Sequence, residues 1–246
     1  MIFWLGTASF LSAFVSGITG MAGGTLLLSV LSIFYSPTAT IALHGLLQVF
    51  ANLSRILVFL RSVSKTHIVF FAVLAFPGAW MGAHLSTYFS PDLLKLLLGS
   101  IIIYVSLSTK KSYNREQTSK KIFIPLGFFS GFLGMIIGVT GPLLSPFFLR
   151  AGLVKEQFVA TKACCQFIVQ VIKVILFATM LQFDYSESIS DIGLMIIGIF
   201  CGTFIAKWMF AYVSEKTFVI ILKVILFVLG SKLIISALSV IVTTSM

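Results

Sequence analysis

The sequence predicts an all-α fold: a polytopic transmembrane helical bundle of two internal repeats, with about eight hydrophobic segments and a glycine- and proline-interrupted helix opening each repeat. Three observations carry this expectation. Of 246 residues, 59% are apolar and 10% charged, and the mean hydropathy is +1.11, whereas soluble domains carry about 25% charged residues. Apolar windows recur along the whole length and leave no stretch for a water-soluble domain. Finally, one unusual polar pattern occurs twice. Ala160 to Phe177 carries Lys162, Gln166, Gln170 and Lys173 at spacings of four, four and three, and 118 residues earlier His44, Gln48, Asn52 and Arg55 hold the matching positions. At 3.6 residues per turn each set lies on one helical face. Lipid cannot solvate such a face, so each is expected to look at protein or at a water-filled path.

Ile2 to Tyr35 is too long for one simple span, since about 20 residues cross the hydrocarbon core. It is interrupted at Gly17, Gly20, Gly23 and Gly24, which predicts two shorter helical pieces or a tilted helix with an unwound centre. No positively charged leader precedes the first apolar run, so that run is expected to remain in the mature protein. Thr38 to Leu60 is the first striped helix. A third span covers His67 to Tyr88, where Gly78 and Gly82 have the spacing that lets helices approach closely. Ser90 to Leu107 follows, with Pro91 allowed in a first turn.

Lys110 to Lys121 has five basic residues against one acidic. The positive-inside rule makes it a cytoplasmic linker, dividing a first repeat (1–109) from a second (122–246). Arg61 and Lys65 are expected on the same side, with Ser90 and Arg150 opposite. Ile122 to Leu149 repeats the opening segment: SGFLGMIIG at 130–138 parallels SGITGMAGG at 16–24, and Pro142 and Pro146 interrupt it further. Val154 to Leu181 carries the second stripe. An acidic turn leads to Ile189 to Tyr212, where Gly198 and Gly202 match Gly78 and Gly82. Lys216 to Val242 is the last segment. Whether the repeats run parallel or inverted depends on whether each opening segment crosses once or folds back.

These features exclude several functions. The net charge of +10 is scattered among membrane segments and one loop, which is no nucleic-acid surface. Cys164, Cys165 and Cys201 lie in apolar stretches without metal or disulfide spacing and read as packing residues. No catalytic or nucleotide-cradling motif is present, His44, His67 and His84 are not spaced as a metal site, and no cofactor is implied. No Asp or Glu falls in the middle of a proposed span, which argues against a carboxylate-lined cation channel.

A positive stripe selects anions. At a broken helix, unpaired N–H groups and the positive dipole end attract the same ligands, and Thr19 and Thr140, with Thr25 secondarily, add hydroxyl donors there. Two other readings stay open. Lys162 and Lys173 lie eleven residues apart, about 16 Å along a helix, which also suits snorkelling to opposite interfaces. The stripes also suit a non-transporting assembly or sensing protein whose helices they glue together.

SGITGMAGG, SGFLGMIIG, and above all GVTGPLLSPFFLR followed by KEQFVATKACCQ, resemble the TauE/SafE family of membrane permeases, also described as sulfite exporters. The resemblance implies a permease or secondary carrier for a small anion, sulfite or another sulfur-containing one, in a multi-pass bacterial inner-membrane protein in contact with lipid, with a coupling ion where transport runs uphill. It implies a substrate path at Gly134, Gly138, Thr140, Gly141, Pro142, Pro146, Lys162 and Gln166, with Gly20, Gly23, Gly24, His44 and Gln48 in the first half. The first half departs from the family pattern, with Ser29 or a neighbour where a proline is common.

Overall fold

The structure, a computed structural model, describes residues 2–86, 88, 91–108, 119–186 and 189–244. Ser90 and most of the expected linker, residues 110–118, lie outside them. Among the described residues there are ten α-helices and no strand: α1 (Ile2–Thr19), α2 (Gly23–Phe34), α3 (Pro37–Val58), α4 (Lys65–Leu85), α5 (Pro91–Ser108), α6 (Phe123–Ile136), α7 (Gly141–Arg150), α8 (Lys155–Thr179), α9 (Ile189–Phe210) and α10 (Glu215–Thr244). Five of them, α3, α4, α8, α9 and α10, are long and apolar enough to cross a membrane. The protein is an all-α polytopic membrane bundle.

Each opening segment is two helices joined by a short break, at residues 20–22 and 137–140. Left-handed glycines cause both: Gly20 has φ +70° and Gly138 φ +85°, conformations that cost any residue with a Cβ about 1–2 kcal/mol. The second break therefore begins where SGFLGMIIG ends. Gly20 and Gly138 are 118 residues apart, the same offset as the stripes, so the SGITGMAGG parallel sits one helical turn out of the structural register.

Both broken segments fold back, and they enter from opposite faces. On one face an aromatic chain ties the start of α6 to the end of α7 and the start of α8: Phe123 packs on Phe148 at 4.9 Å, and Phe148 on Phe158 at 6.3 Å. His67, opening α4, joins at 4.8 Å from Phe123, and Phe218, opening α10, packs on Phe158 and on Phe210 at the end of α9. On the other face Leu5 of α1, Leu31 of α2, Leu43 of α3 and Ile192 of α9 form one buried cluster. Arg150 thus lies on the same face as Arg61 and Lys65, not opposite them. The physical reason is that α7 returns to the face α6 left. The opposite face holds the 180–186 turn, where Asp184 accepts the Ser186 N–H at 2.8 Å, which holds its carboxyl below the usual range.

Close backbone approach locks the hairpins to the bundle. A Cβ at Gly78 would collide with the Phe128 carbonyl of α6, and one at Gly82 would lie 2.6 Å from the Phe132 carbonyl. Gly198 and Gly202 do the same for α9 against Gly6 and Phe10 of α1. These are the contacts their spacing predicts. The striped helices occupy the centre: 61% of the apolar window of α3 and of α8 is buried, against 33% for α4 and α9 and 22% for α10. Phe76, Trp80, Phe204 and Phe227 point outward, as lipid-facing residues do.

Candidate functional site

The two breaks meet at the middle of the bundle, flanked by α3 and α8. Between them is a cavity of ≈ 20 Å³, enough for a water-sized occupant, lined by Gly24 and Thr25 of α2, His44, Gln48 and Arg55 of α3, Thr140 of the second break, Gly141 and Pro142 of α7, and Gln166 and Gln170 of α8. Helices α2 and α7 both begin here, and neither Ala22 nor Thr140 caps its helix with a side-chain hydrogen bond. First-turn N–H groups have no intrahelical partner, so two positive helix ends converge on one small space.

The side chains fall into two sets. Arg55, 3% exposed, donates from Nε to the Ala51 carbonyl at 2.9 Å and from Nη2 to Asn52 Oδ1 at 3.0 Å, while lining the cavity. Asn52 donates in turn to the Gln48 carbonyl and so orients the guanidinium from outside the lining. His44 is held by a 2.9 Å hydrogen bond between Nε2 and the Gly24 carbonyl. A carbonyl only accepts, so Nε2 carries the proton, and the buried Nδ1 has no partner. The Gln170 side-chain oxygen is likewise buried without one.

The two lysines brace the breaks. Lys162, wholly buried, donates from Nζ to the Gly20 carbonyl at 2.8 Å and to Ser145 Oγ at 2.6 Å, beside the Phe158 ring at 5.4 Å. Lys173, 1% exposed, donates to the Gly138 carbonyl at 3.4 Å and lays its stem along Gly45. Each left-handed glycine therefore gives its carbonyl to one lysine of α8. Neither ammonium snorkels to an interface.

The remaining candidates lie further off. Thr19 donates to the Val15 and Met21 carbonyls, fastening its own break. Gly23 packs α2 on α1, where a Cβ would collide with the Ser12 carbonyl. Gly134 faces Val169 and Thr140, and Pro146 is buried within α7. Ser145 escaped the sequence reading, although it lies one turn beyond Gly141 on the face that carries the lysine contact; it also donates to the Gly141 carbonyl. Ser16, Met21, Ala22 and Val139 complete the lining and carry no polar periodicity that would mark them.

The charge balance is one-sided. Arg55, Lys162 and Lys173 are buried, and no Asp or Glu lines the cavity. Among the described residues no cluster of His, Cys, Asp or Glu could hold a metal.

A polytopic bundle with two broken helices around a buried, acid-free cationic cavity is the build of a membrane transporter for small anions. The profile of one family, described as "Sulfite exporter TauE/SafE", matches residues 5–233, and the chain belongs to that family, as the resemblance of its motifs implies. It is a family of transporters, not of enzymes. No match was found among curated proteins or among solved structures.

Proposed function

We propose that the protein is a secondary carrier or facilitator for a small sulfur-containing oxyanion, sulfite in the first instance, in a bacterial inner membrane. The observation that carries this reading is the convergence of two uncapped helix starts and Arg55 on one buried cavity without a carboxylate. Gln48, Gln166 and Gln170 supply neutral amides that replace part of an anion's hydration.

The chain is read as two repeats, 1–109 and 122–246, around the 110–121 linker. Each is read as a fold-back hairpin followed by three crossings, α3 to α5 and α8 to α10, with the 18-residue α5 counted as a crossing beside the five helices named above because it returns the chain from the end of α4 to the face where α6 starts. Three is odd, so the second repeat is inverted relative to the first. Inverted repeats that meet at a central site suit alternating access by rocking of one half against the other. Arg61, Lys65, Lys120, Lys121, Arg150 and Lys155 share one face, which makes that face cytoplasmic by the positive-inside rule. Export of an anion from a negative interior is favoured by about 2.3 kcal/mol per charge per 100 mV.

The test is flux in proteoliposomes with sulfite, thiosulfate, sulfate, sulfoacetate and taurine. Sulfite flux above empty vesicles is expected, and background flux for all five contradicts the reading. The lysine contacts to Gly20 and Gly138 also favour a second reading, a non-transporting assembly or sensing protein in which the stripes serve packing alone. Under it, all five anions remain at background while Lys162→Met still lowers stability.

A further inference from the structure

Lys232 is out of place by composition. It lies on α10, whose apolar window has the highest mean hydropathy of the five spanning helices, 2.6. It is 17 residues beyond Glu215 and 12 before Thr244, so about 25 Å and 18 Å from the two helix ends at 1.5 Å per residue. Two residues away, Gly230 packs on Gly99 where α5 crosses α10. A lysine near mid-membrane costs several kcal/mol unless it faces protein or water.

What it faces is a recess open to the outside of the bundle, where its own side chain and those of Ser29 and Ser236 are exposed. Lys232 and Ser236 line this ≈ 140 Å³ chamber together with Ser29 and Thr25 of α2, Val139 of the second break and Pro142 of α7. The Lys232 ammonium donates to Ser29 Oγ at 3.4 Å. Thr25, Val139 and Pro142 also line the central ≈ 20 Å³ cavity, so one wall separates the two spaces. Outward, Lys232 and Ser236 belong to an open groove along α10 with Val228 and Ile235. Groove, chamber and central cavity thus stand in series. The wall between the last two is built from the break and the first turns of α2 and α7, which have the fewest intrahelical hydrogen bonds to hold them. By contrast, the ≈ 420 Å³ hollow among Leu97, Phe129 and Phe147 has no charged or polar side chain in its lining.

We infer that the chamber beside Lys232 is an outer binding station for the transported oxyanion, with Lys232 as its cation and Thr25, Val139 and Pro142 as the gate to the central site. This rests on the anion-carrier reading. In a background with Cys164, Cys165 and Cys201 replaced by Ala, Lys232→Cys and Val224→Cys are compared in proteoliposomes with the anionic, water-soluble reagent 2-sulfonatoethyl methanethiosulfonate. Val224 of α10 is exposed on the outside of the bundle and outside the groove and the chamber. Thiolate forms only in contact with water, so position 232 should react at least about tenfold faster than the lipid-facing position 224. Separately, Lys232→Gln should raise the KM for sulfite about tenfold with little change in maximal rate, as loss of uniform binding does, and Lys232→Arg should restore it. Equal labelling at 232 and 224, or an unchanged KM in Lys232→Gln, overturns the station. Both flux arms are run in purely zwitterionic vesicles and in vesicles containing phosphatidylglycerol. A Lys232→Gln effect confined to the latter assigns the lysine to a lipid phosphate and also overturns it. Absent wild-type sulfite flux fails the carrier reading, whereas the labelling comparison stands apart from it.

Discussion

The two breaks share a backbone conformation and differ in what holds them. At the first, Gly20 meets Phe158 and takes Lys162 from the other half of the chain, Thr19 ties the turn to itself, and Gly23 seats α2 directly on α1. At the second, a Cβ on Gly138 would meet only ordinary contacts, Lys173 reaches its carbonyl by one long bond, and Gly141 opens toward Gln166 and Lys162 rather than onto α6. Both breaks line the cavity, but the first is clamped and the second is loosely held. The difference shows that equal glycines in equal places need not do equal work: the first anchors, and the second has freedom to move.

The largest expected effect comes from removing the clamp. Lys162→Gln deletes the amine shared by Gly20 and Ser145, and each buried neutral partner left unpaired costs about 1–3 kcal/mol; the folded yield and thermal midpoint in detergent should both fall. Lys173→Gln, with one 3.4 Å contact, should lose less than half as much. Equal losses in the two variants would break the contrast.

Next come the glycines themselves. Gly138→Ala places its Cβ at 3.5 Å from Leu28 and should cost only the left-handed penalty, about 1–2 kcal/mol. Gly20→Ala adds a 2.8 Å encounter with the Phe158 ring, and overpacking adds about 1–3 kcal/mol. Thermal unfolding of the pair should rank Gly20→Ala as the less stable. The reverse order would mean that the second break is the rigid one.

A smaller effect sharpens the comparison from the cavity side. The hydrogen bond from His44 Nε2–H to the Gly24 carbonyl ties α3 to the first turn of α2 at the cavity wall. His44→Ala should therefore lower the thermal midpoint by the worth of one buried hydrogen bond, about 0.5–1.5 kcal/mol, less than Lys162→Gln does. An unchanged midpoint removes that tie from the account. Smallest is Ala22→Gly: Ala22 has φ +69°, and relieving it should stabilise the protein by less than about 1 kcal/mol, visible as a slight upward shift of the thermal midpoint.

Much of this was legible in the sequence, for reasons that mark where the rest was not. His44, Gln48, Arg55, Gln166 and Gln170 line one cavity because helical periodicity alone puts polar residues on a common face. The glycine runs announce breaks because only glycine tolerates their φ cheaply. A break does not say which way the chain turns next. That direction is set by Phe123 against Phe148, a tertiary contact, and so Arg150 was expected on the wrong face. Nor does spacing say which cation faces the cavity: Lys162 reaches Gly20 across 142 residues of chain, and only that contact reveals it as a brace while Arg55 lines the space.

The central claim, an anion held by Arg55 between two helix starts, is tested most directly by sulfite flux through Arg55→Gln and Arg55→Lys at matched abundance in vesicles. Removing a buried charge that meets a desolvated anion costs about 2–5 kcal/mol, so Arg55→Gln should lower kcat/KM at least about thirtyfold. Arg55→Lys, which keeps the charge but loses the planar fork, should fall between it and wild type. An Arg55→Gln protein that inserts normally and transports sulfite within about twofold of wild type would contradict the account.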